Sequence, residues 1–293
     1  MPNTLGEADW ELLLRRIKNG KCTPFIGAGA CWGILPTGAE IARDWAASYK
    51  YPLDCTHELA KIAQYIAVRT DQNTPKEMIQ ERFKNITPPD FAKEDEIHGI
   101  LATLPISTYI TTNYDNFMSQ ALQSRNKAPV VELCRWNNRI HAPPALKAGY
   151  VPSQQAPLVY HLHGHIDVLD SIVITEDDYI DFLLSLKRPN LLPPCVEEAF
   201  AGTTLLFLGY RLADWDFRVI FRSLVSYRTI SGSSAHISVQ ILPMGESFKD
   251  ADRREVQDIF DKYFRKSEIR VYWGTCQEFV MDLRKRWEAY NHG

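Results

Sequence analysis

Short apolar runs and helical stripes alternate along the chain, a pattern typical of an α/β protein. The apolar runs predict strands at 22–26, 108–111, 130–133, 158–161, 172–175, 204–208, 236–242 and 269–273. Apolar residues at helical spacing predict helices at 75–84, 94–103, 116–124, 177–186, 194–201, 214–228, 250–265 and 275–290. Because strands and helices alternate, we expect a mostly parallel sheet that is covered by helices on both faces.

The segment between the first two predicted strands is long and rich in helix. Within it, residues 39–70 place apolar side chains such as Ile41, Trp45 and Ile66 at helical spacing. This segment is much longer than an ordinary crossover between parallel strands. We therefore predict one domain over 1–293, with a helical lobe at about 36–105 inserted after the first strand.

Composition limits the classes of protein that the chain can belong to. The 293 residues are 45% hydrophobic and 24% charged, which suffices for a large core without disulfides or structural metals. The 33 basic and 36 acidic residues give a net charge of −3, so there is no overall electrostatic signal for nucleic acid. No apolar run reaches the roughly eighteen residues of a membrane span, and the first residues lack the pattern of a signal peptide. Six cysteines without a Cys-x-x-Cys pair suggest reduced thiols and a cytoplasmic protein.

A glycine pair directly follows the first strand, as Gly27-Ala28-Gly29. Glycines in this position let exposed backbone N–H groups approach a pyrophosphate. The full Gly-x-Gly-x-x-Gly pattern would need glycine where Trp32 stands, and no P-loop sequence occurs. By itself the motif fits either a nucleotide-binding loop or a simple turn from strand to helix.

Polar residues also follow the second strand, in the sequence Thr-Thr-Asn-Tyr-Asp at 111–115. In open α/β sheets, ligands bind at the carboxyl ends of the strands. Asn113 offers a hydrogen-bond donor and an acceptor, and Asp115 accepts hydrogen bonds from hydroxyl groups, so both suit a ribose. The alternative is that one of them caps the next helix.

The densest group of titratable side chains is His-Leu-His-Gly-His-Ile-Asp at 161–167. Histidines at 161, 163 and 165 would share one side of a continuous strand and could bind a metal, but Gly164 interrupts the strand and no cysteine lies nearby. A single catalytic histidine is the simpler hypothesis. We interpret His161 as structural and leave the roles of His165 and Asp167 open.

The strand at 204–208 ends in Gly209, followed by Tyr-Arg-Leu-Ala-Asp-Trp-Asp at 210–216. Gly209 would allow the backbone to approach a nucleotide closely. Asp214 stands where the N-cap of helix 214–228 is expected, and Asp216 would add negative charge at the favourable end of the helix dipole. A capping role and a site role therefore both stay open for these two carboxylates.

Four motifs occur in the order of the sirtuin signatures: Gly-Ala-Gly-Ala-Cys at 27–31, Thr-Asn-Tyr-Asp at 112–115, Leu-His-Gly at 162–164 and Leu-Gly-Tyr-Arg-Leu at 208–212. The resemblance covers about residues 22–230. It implies a Rossmann-like domain that binds NAD.

The chain also departs from the protein-deacylating sirtuins. It lacks their four-cysteine zinc module, it has Thr112 where they usually have Gln, and Gly-Ile-Leu-Pro-Thr-Gly at 33–38 replaces their Pro-Asp-Phe-Arg stretch. The chain in these respects resembles the sirtuin-like NAD hydrolases of bacterial antiphage defence, a branch without zinc in which a helical lobe replaces the zinc module. NAD is then the expected substrate, and no zinc is expected.

The resemblance implies a role for each matching residue of the catalytic centre. Asn113 would orient the nicotinamide ribose and the attacking water, and Asp115 would bind ribose hydroxyls. His163 would be the general base.

The glycines would bind the remainder of NAD. Gly27, Ala28 and Gly29 would hold the pyrophosphate, and Gly209 would face the adenosine half. The carry-over to Arg211 is in doubt because the small hydroxyl residue of the family is missing there.

Two other functions stay open at this stage: an NAD-dependent protein deacylase, and a sensor that binds NAD or ADP-ribose without cleaving it. An NAD hydrolase must be controlled, because unrestrained activity would kill the cell. The sequence leaves no evident room for a fused sensor, so we expect control by assembly or by a partner. The resemblance to the defence branch implies a homo-oligomer and a hexameric ATPase of the DNA-translocase type as that partner.

Overall fold

A computed structural model describes residues 5–210, 236–240, 250–265 and 268–292. Within these ranges the strands are β1 Cys22–Ile26, β2 Thr108–Thr111, β3 Val130–Leu133, β4 Leu158–His161, β5 Thr204–Leu208, β6 His236–Gln240 and β7 Ile269–Trp273. The helices are α1 Glu7–Lys18, α2 Gly38–Ser48, α3 Leu59–Arg69, α4 Thr74–Lys84, α5 Ile97–Thr103, α6 Phe117–Ser124, α7 Glu176–Ser185, α8 Pro194–Gly202, α9 Asp250–Arg265 and α10 Cys276–His292.

The seven described strands form one sheet in the order β3-β4-β2-β1-β5-β6-β7, and every described pairing is parallel. The predicted α/β class and mostly parallel sheet are therefore confirmed. The chain builds β2, β3 and β4 on one side of β1 and then crosses to β5 on the other side. This reversal beside β1 makes the topological switch point at which open α/β sheets bind ligands.

Hydrophobic layers cover both faces of the sheet, as continuous apolar strands require. One layer includes residues of α1, α5, α6 and α10, and in it the ring of Trp10 stacks on that of Phe279. The opposite layer includes residues of α7, α8 and α9, with Phe25 packed against Phe200 and Phe207.

Helices α2, α3 and α4, which lie between β1 and β2 in the chain, form a separate small core. Their buried side chains include Ile41, Trp45 and Ile66, which the helical spacing had singled out. Helix α5 follows them in the chain but contributes Ile97 and Leu101 to the sheet core instead. The helix-rich segment between the first two strands thus comprises three lobe helices and one helix that packs on the sheet.

The prediction of a strand at 172–175 is wrong. Ile172 and Ile174 are buried against the helical lobe, and Val173 donates a backbone hydrogen bond to His163. The segment is extended and apolar, but it lies beside the lobe instead of pairing with a strand. An extended segment buried against helices thus has the same apolar side chains as a strand buried in a sheet.

Three further predictions concern the first helix and the segments beside the residues that the structure does not describe. Helix α1 was not predicted, although Trp10, Leu13 and Ile17 form its buried stripe. The strand predicted at 236–242 is present as His236–Gln240, and residues 241 and 242 lie outside the described residues. The helix predicted at 214–228 lies outside the described residues.

A buried ion pair connects the helical lobe to α7. The Lys76 ammonium on α4 lies 3.0 Å from Asp178 and 5.7 Å from the centre of the Trp136 ring. Asp178 also accepts backbone hydrogen bonds from Ile174 and Thr175. Both charged side chains are almost fully buried, so each depends on the other for compensation.

We predict that Asp178→Ala lowers the free energy of unfolding by about 3–5 kcal/mol, because it leaves a buried ammonium without its counter-charge. Adding Lys76→Met should recover much of the loss. Urea unfolding followed by circular dichroism measures both effects. Lys61→Met is the control, because its pair with Glu58 is exposed and should contribute at most about 1 kcal/mol. Equal stability of Asp178→Ala and the wild type would contradict the prediction.

Candidate functional site

The motifs after β1, β2, β4 and β5 meet at one edge of the sheet. Thr111 is in register with both Ile26 and His161, and Ile26 is in register with Leu208. Since the strands are parallel and end at the same level, the segments that follow them converge above the sheet. The structure therefore brings together the first three motifs that the sequence had singled out and the described part of the fourth, residues 208–210.

The glycines after β1 pack directly against the backbone after β5. Gly27 donates a backbone hydrogen bond to Leu208, and Gly29 donates one to Gly209, at 2.8 and 3.0 Å. A Cβ atom on Gly29 would lie 2.9 Å from Cα of Gly209, and one on Gly209 would collide with the nitrogen of Ala30. The first role of these glycines is thus close packing of two strand exits, and their contact with a pyrophosphate stays a prediction, as it does for Ala28.

Tyr210 covers the first glycine of this loop. A Cβ atom on Gly27 would lie 2.7 Å from the Tyr210 ring. The hydroxyl of Tyr210 donates to the carbonyl of Ile26 at 2.9 Å and lies 2.7 Å from Oγ1 of Thr112. Tyr210 therefore ties the ends of β1 and β2 together, a role that the sequence did not suggest although the residue follows Gly209.

Asn113 links three of the converging segments. Its buried side-chain amide donates to the carbonyl of Gly27 at 3.2 Å and to Sγ of Cys31 at 3.3 Å. Its backbone carbonyl lies 2.9 Å from Nδ1 of His161. The side-chain amide is thus held against the segment after β1, and its role in orienting the ribose stays a prediction.

Asp115 serves two partners at once. One carboxylate oxygen accepts a hydrogen bond from the backbone N–H of Phe117 at 2.9 Å, which supports the start of α6. The other lies 3.6 Å from Sγ of Cys31. Asp115 therefore supports the start of α6 from the position before the N-cap residue, Asn116, and its other oxygen faces Cys31.

Behind Cys31 lies a buried pair that the sequence analysis missed. Nε2 of His98 lies 4.0 Å from Sγ of Cys31, and Nδ1 of His98 lies 2.8 Å from Oε1 of Glu96. Burial, reinforced by the negative charge of Asp115, raises the pKa of the Cys31 thiol well above its usual range. Cys31, Glu96 and His98 thus extend the polar site beneath the glycine loop.

The histidine cluster divides into two environments. The rings of His161 and His165 meet edge to face, with their centres 4.7 Å apart. His163 instead packs perpendicular to Tyr179 and Phe182, whose ring centres lie 5.4 and 4.9 Å away. Because the three imidazoles do not converge on one point, the geometry opposes the alternative of a three-histidine metal site.

Burial keeps two of these histidines neutral. Removal from water lowers the pKa of His163 to about 3, and the same effect, increased by His165, lowers the pKa of His161 to about 3. Nε2 of His163 and Nε2 of His161 are buried without a hydrogen-bond partner among the described residues. His163 thus keeps an unused ring nitrogen on a neutral imidazole.

His165 has its own polar partners. Its Nε2 contacts the side-chain oxygen of Asn116, and Asp167 lies 3.6 Å from its Nδ1. These contacts connect it to the start of α6. The remaining predicted residues Arg211, Asp214 and Asp216 lie outside the described residues.

A parallel sheet with ligand-type side chains at a topological switch point is the arrangement of Rossmann-like nucleotide-binding proteins. Residues 107–272 match the family model described as a SIR2-like domain. This match covers more than half of the sequence, and the chain therefore belongs to the SIR2-like domain family.

Curated relatives of the chain carry the name NAD(+) hydrolase ThsA. The protein of Enterococcus faecium is 26% identical over 276 residues, which cover 90% of this chain and 53% of the relative. The proteins of Cytobacillus dafuensis and Acinetobacter baumannii are 25% and 27% identical, over 71% and 69% of this chain and 38% and 39% of their own lengths. The chain thus spans about half or less of the length of the relatives it matches.

One solved structure, described as the structural basis for the mechanism and regulation of Sir2 enzymes, aligns over 97% of this chain and 99% of its own. Its TM-score is 0.43 and its identity 15%, a similarity too low to bear on function.

We predict that Gly209→Ala destabilises the protein more than Gly149→Ala does. Both glycines have a positive φ, of +78° and +79°, so both substitutions add left-handed strain of about 1–2 kcal/mol. Only Gly209 is also packed against backbone, which should add about 1–3 kcal/mol, whereas the space around Gly149 is open. Urea unfolding of the two variants measures the difference, and equal losses would contradict the close contact.

We also predict that the protein loses stability as the pH falls from 6.5 towards 3. An imidazole with a pKa of about 3 when folded and about 6.5 when unfolded binds its proton preferentially in the unfolded state. Its contribution is complete above pH 6.5, and at pH 5 about 2 kcal/mol of it has been lost. His163→Leu should flatten the dependence of unfolding free energy on pH, while exposed His141→Leu should not. Parallel curves for the wild type and His163→Leu would refute this assignment.

Proposed function

We propose that the chain cleaves NAD to nicotinamide and ADP-ribose. The observation that carries this proposal is the fixed position of Asn113 between the glycine loop and the histidine segment, at the switch point of a Rossmann-like sheet. The NAD(+) hydrolase names of the relatives point to the same reaction. The reaction would take place in the cytoplasm. Its biological role would be to deplete NAD in antiphage defence.

The reaction breaks the bond between the nicotinamide nitrogen and C1 of the ribose. Nicotinamide leaves as a neutral molecule because the pyridinium carries a positive charge beforehand, so no general acid is required. The ribose then has oxocarbenium character, as in glycoside hydrolysis. The side-chain oxygen of Asn113 and the oxygen of Asp115 that faces Cys31 would stabilise that positive charge and hold the ribose hydroxyls.

Water completes the reaction by forming a bond to C1 and releasing a proton. His163 would accept that proton through its unused Nε2. Its low pKa makes it a weak base, but water bonded to an oxocarbenium carbon is strongly acidic and can be deprotonated by a weak base. A neutral imidazole in a dry pocket therefore suits a proton transfer that follows C–N cleavage.

The glycine loop would bind the pyrophosphate through residues 27–29, and Gly209 would lie beside the adenosine half. The N–H groups of Gly27 and Gly29 donate to backbone carbonyls in this structure. To bind the pyrophosphate, these two N–H groups would therefore have to break or share their hydrogen bonds to the carbonyls of Leu208 and Gly209. Ala28 lies between them, at the start of the 3-10 turn Ala28–Cys31.

The test is release of nicotinamide by the purified chain, with and without an acyl-lysine peptide. Release without peptide supports hydrolysis, release only with peptide supports a protein deacylase, and binding of NAD without release supports a sensor. Each alternative thus has its own outcome.

We predict that His163→Ala lowers the rate of nicotinamide release by at least about 10²-fold, because a general base typically contributes 10²–10⁴-fold. His141→Ala is the matched control, since His141 is exposed and distant in sequence from the motifs. Thermal unfolding establishes that both variants are folded. A folded His163→Ala protein with the wild-type rate would remove His163 from the mechanism.

We further propose that the chain works as a homo-oligomer under the control of a hexameric ATPase of the DNA-translocase type. Closed homo-oligomers are the commonest soluble assemblies, and exposed apolar side chains such as Trp32, Val68 and Val151 offer contact surface. Among the described residues, no helix has the combination of length and hydropathy that a bilayer crossing requires.

We predict sedimentation of the purified chain as an oligomer, with a rate of NAD cleavage that changes when the ATPase is added. Sedimentation velocity and the nicotinamide assay measure these two properties. The variant Val68→Asp, on the surface of the lobe, serves as a first probe of the contact. A monomer with full activity that the ATPase does not alter would contradict this proposal.

A further inference from the structure

Three side chains of different chemistry converge beneath the glycine loop. Sγ of Cys31, a ring nitrogen of His98 and a carboxylate oxygen of Asp115 all lie within 4.8 Å of one another. They come from three separate parts of the chain: the turn after β1, helix α5 and the segment after β2. Of the three residues, only Asp115 was expected from the sequence to be a site residue.

The two distances from the sulfur are close to those of a zinc site. Zinc bonds of about 2.3 Å to sulfur and about 2.0–2.1 Å to nitrogen or oxygen place the sulfur about 3.5 Å from each of its neighbours in a tetrahedron. Sγ of Cys31 lies 3.6 Å from Oδ2 of Asp115 and 4.0 Å from Nε2 of His98. The ring nitrogen of His98 and the carboxylate oxygen of Asp115 lie within 4.8 Å of each other, so rotation of these side chains would complete the coordination.

His98 is oriented as a metal ligand. Glu96 lies 2.8 Å from its Nδ1, so that the proton of a neutral ring belongs on Nδ1 and the lone pair of Nε2 faces Cys31. Glu96 is itself held by the backbone N–H groups of His98 and Gly99. A carboxylate behind a histidine is the usual outer support of zinc-bound imidazole.

The charges and ligand types also favour zinc over harder cations. A thiolate and an imidazole are ligands that Zn²⁺ accepts and that Mg²⁺ and Ca²⁺ do not prefer. Together with one carboxylate they leave a fourth tetrahedral position for water, as in zinc sites with three protein ligands. Binding would release the thiol proton of Cys31 to solvent.

We propose that Cys31, His98 and Asp115 form a reversible Zn²⁺ site whose occupation blocks NAD cleavage. The inhibition rests on the proposed function, because zinc and the ribose of NAD would both use the carboxylate of Asp115. Asn113 is also affected, since its amide donates to Sγ of Cys31. A zinc ion in this position withdraws the side chains of Asp115 and Asn113 from the ribose. The site differs from a structural zinc module because it contains one cysteine.

The binding test uses Co²⁺ as a spectroscopic probe for zinc with the whole chain. A thiolate ligand produces a near-ultraviolet charge-transfer band, and we expect one Co²⁺ per chain with this band, displaced by Zn²⁺. Cys31→Ser should abolish the band, His98→Gln should weaken binding at least about tenfold, and Glu96→Gln should weaken it about 10–100-fold. Cys55→Ser, in the lobe, is the matched control and should keep the band.

The functional test measures nicotinamide release at buffered concentrations of free Zn²⁺. Each variant is compared with its own rate without zinc, and we expect half-inhibition to require at least about tenfold more zinc in Cys31→Ser than in Cys55→Ser. ADP-ribose, added as a probe that is not cleaved, should weaken Co²⁺ binding to the wild type.

The outcomes separate this proposal from the proposed function. Absence of the cobalt band, or its persistence in a folded Cys31→Ser protein, would overturn the site even if NAD is cleaved. Equal zinc inhibition of Cys31→Ser and Cys55→Ser would overturn the inhibitory role. A chain that cleaves no NAD but shows the Cys31-dependent band and competition by ADP-ribose would support the metal site and refute the hydrolase.

Discussion

The candidate site depends on the close approach of two backbone segments at the ends of β1 and β5. Gly29 and Gly209 lie so near each other that a single Cβ atom on either would collide with the other segment. Gly209 also has a φ of +78°, which a residue with a side chain rarely adopts. This contact turns the chain after β1 into the short 3-10 turn that places Cys31 beside Asn113 and Asp115.

Polar groups in this structure hold the fold and form the site at the same time. Asp115 supports α6 with one oxygen and faces Cys31 with the other, and Asn113 joins the glycine loop to His161. Such groups must be buried to be rigid, and burial is costly unless their hydrogen bonds are satisfied. The structural and functional interpretations of these residues are therefore not exclusive, which explains why the sequence alone could not choose between them.

Local pattern was sufficient for most of the sheet, because a parallel strand is buried on both faces and is therefore a continuous apolar run. The same logic produced the error at 172–175, where burial against the helical lobe gives the same apolar run without strand pairing. The positions of Asn113 and His163 at strand ends followed from the order of the elements. The Glu96–His98 pair could not be found in this way, because it meets Cys31 only through folding across 67 positions.

The chemistry proposed for the site also accounts for the unusual state of its histidines. A neutral imidazole in a dry environment cannot donate a proton to a leaving group at ordinary pH, and such a site would be poorly suited to most acid-catalysed cleavages. Nicotinamide needs no such donor, because its departure from the pyridinium removes a charge that the substrate already carries. The burial that lowers the pKa of His163 therefore removes only its ability to donate a proton, which the proposed reaction does not use. What remains is a neutral imidazole that packs against Tyr179 and Phe182, and the proposed attack of water on the cation would require no stronger base.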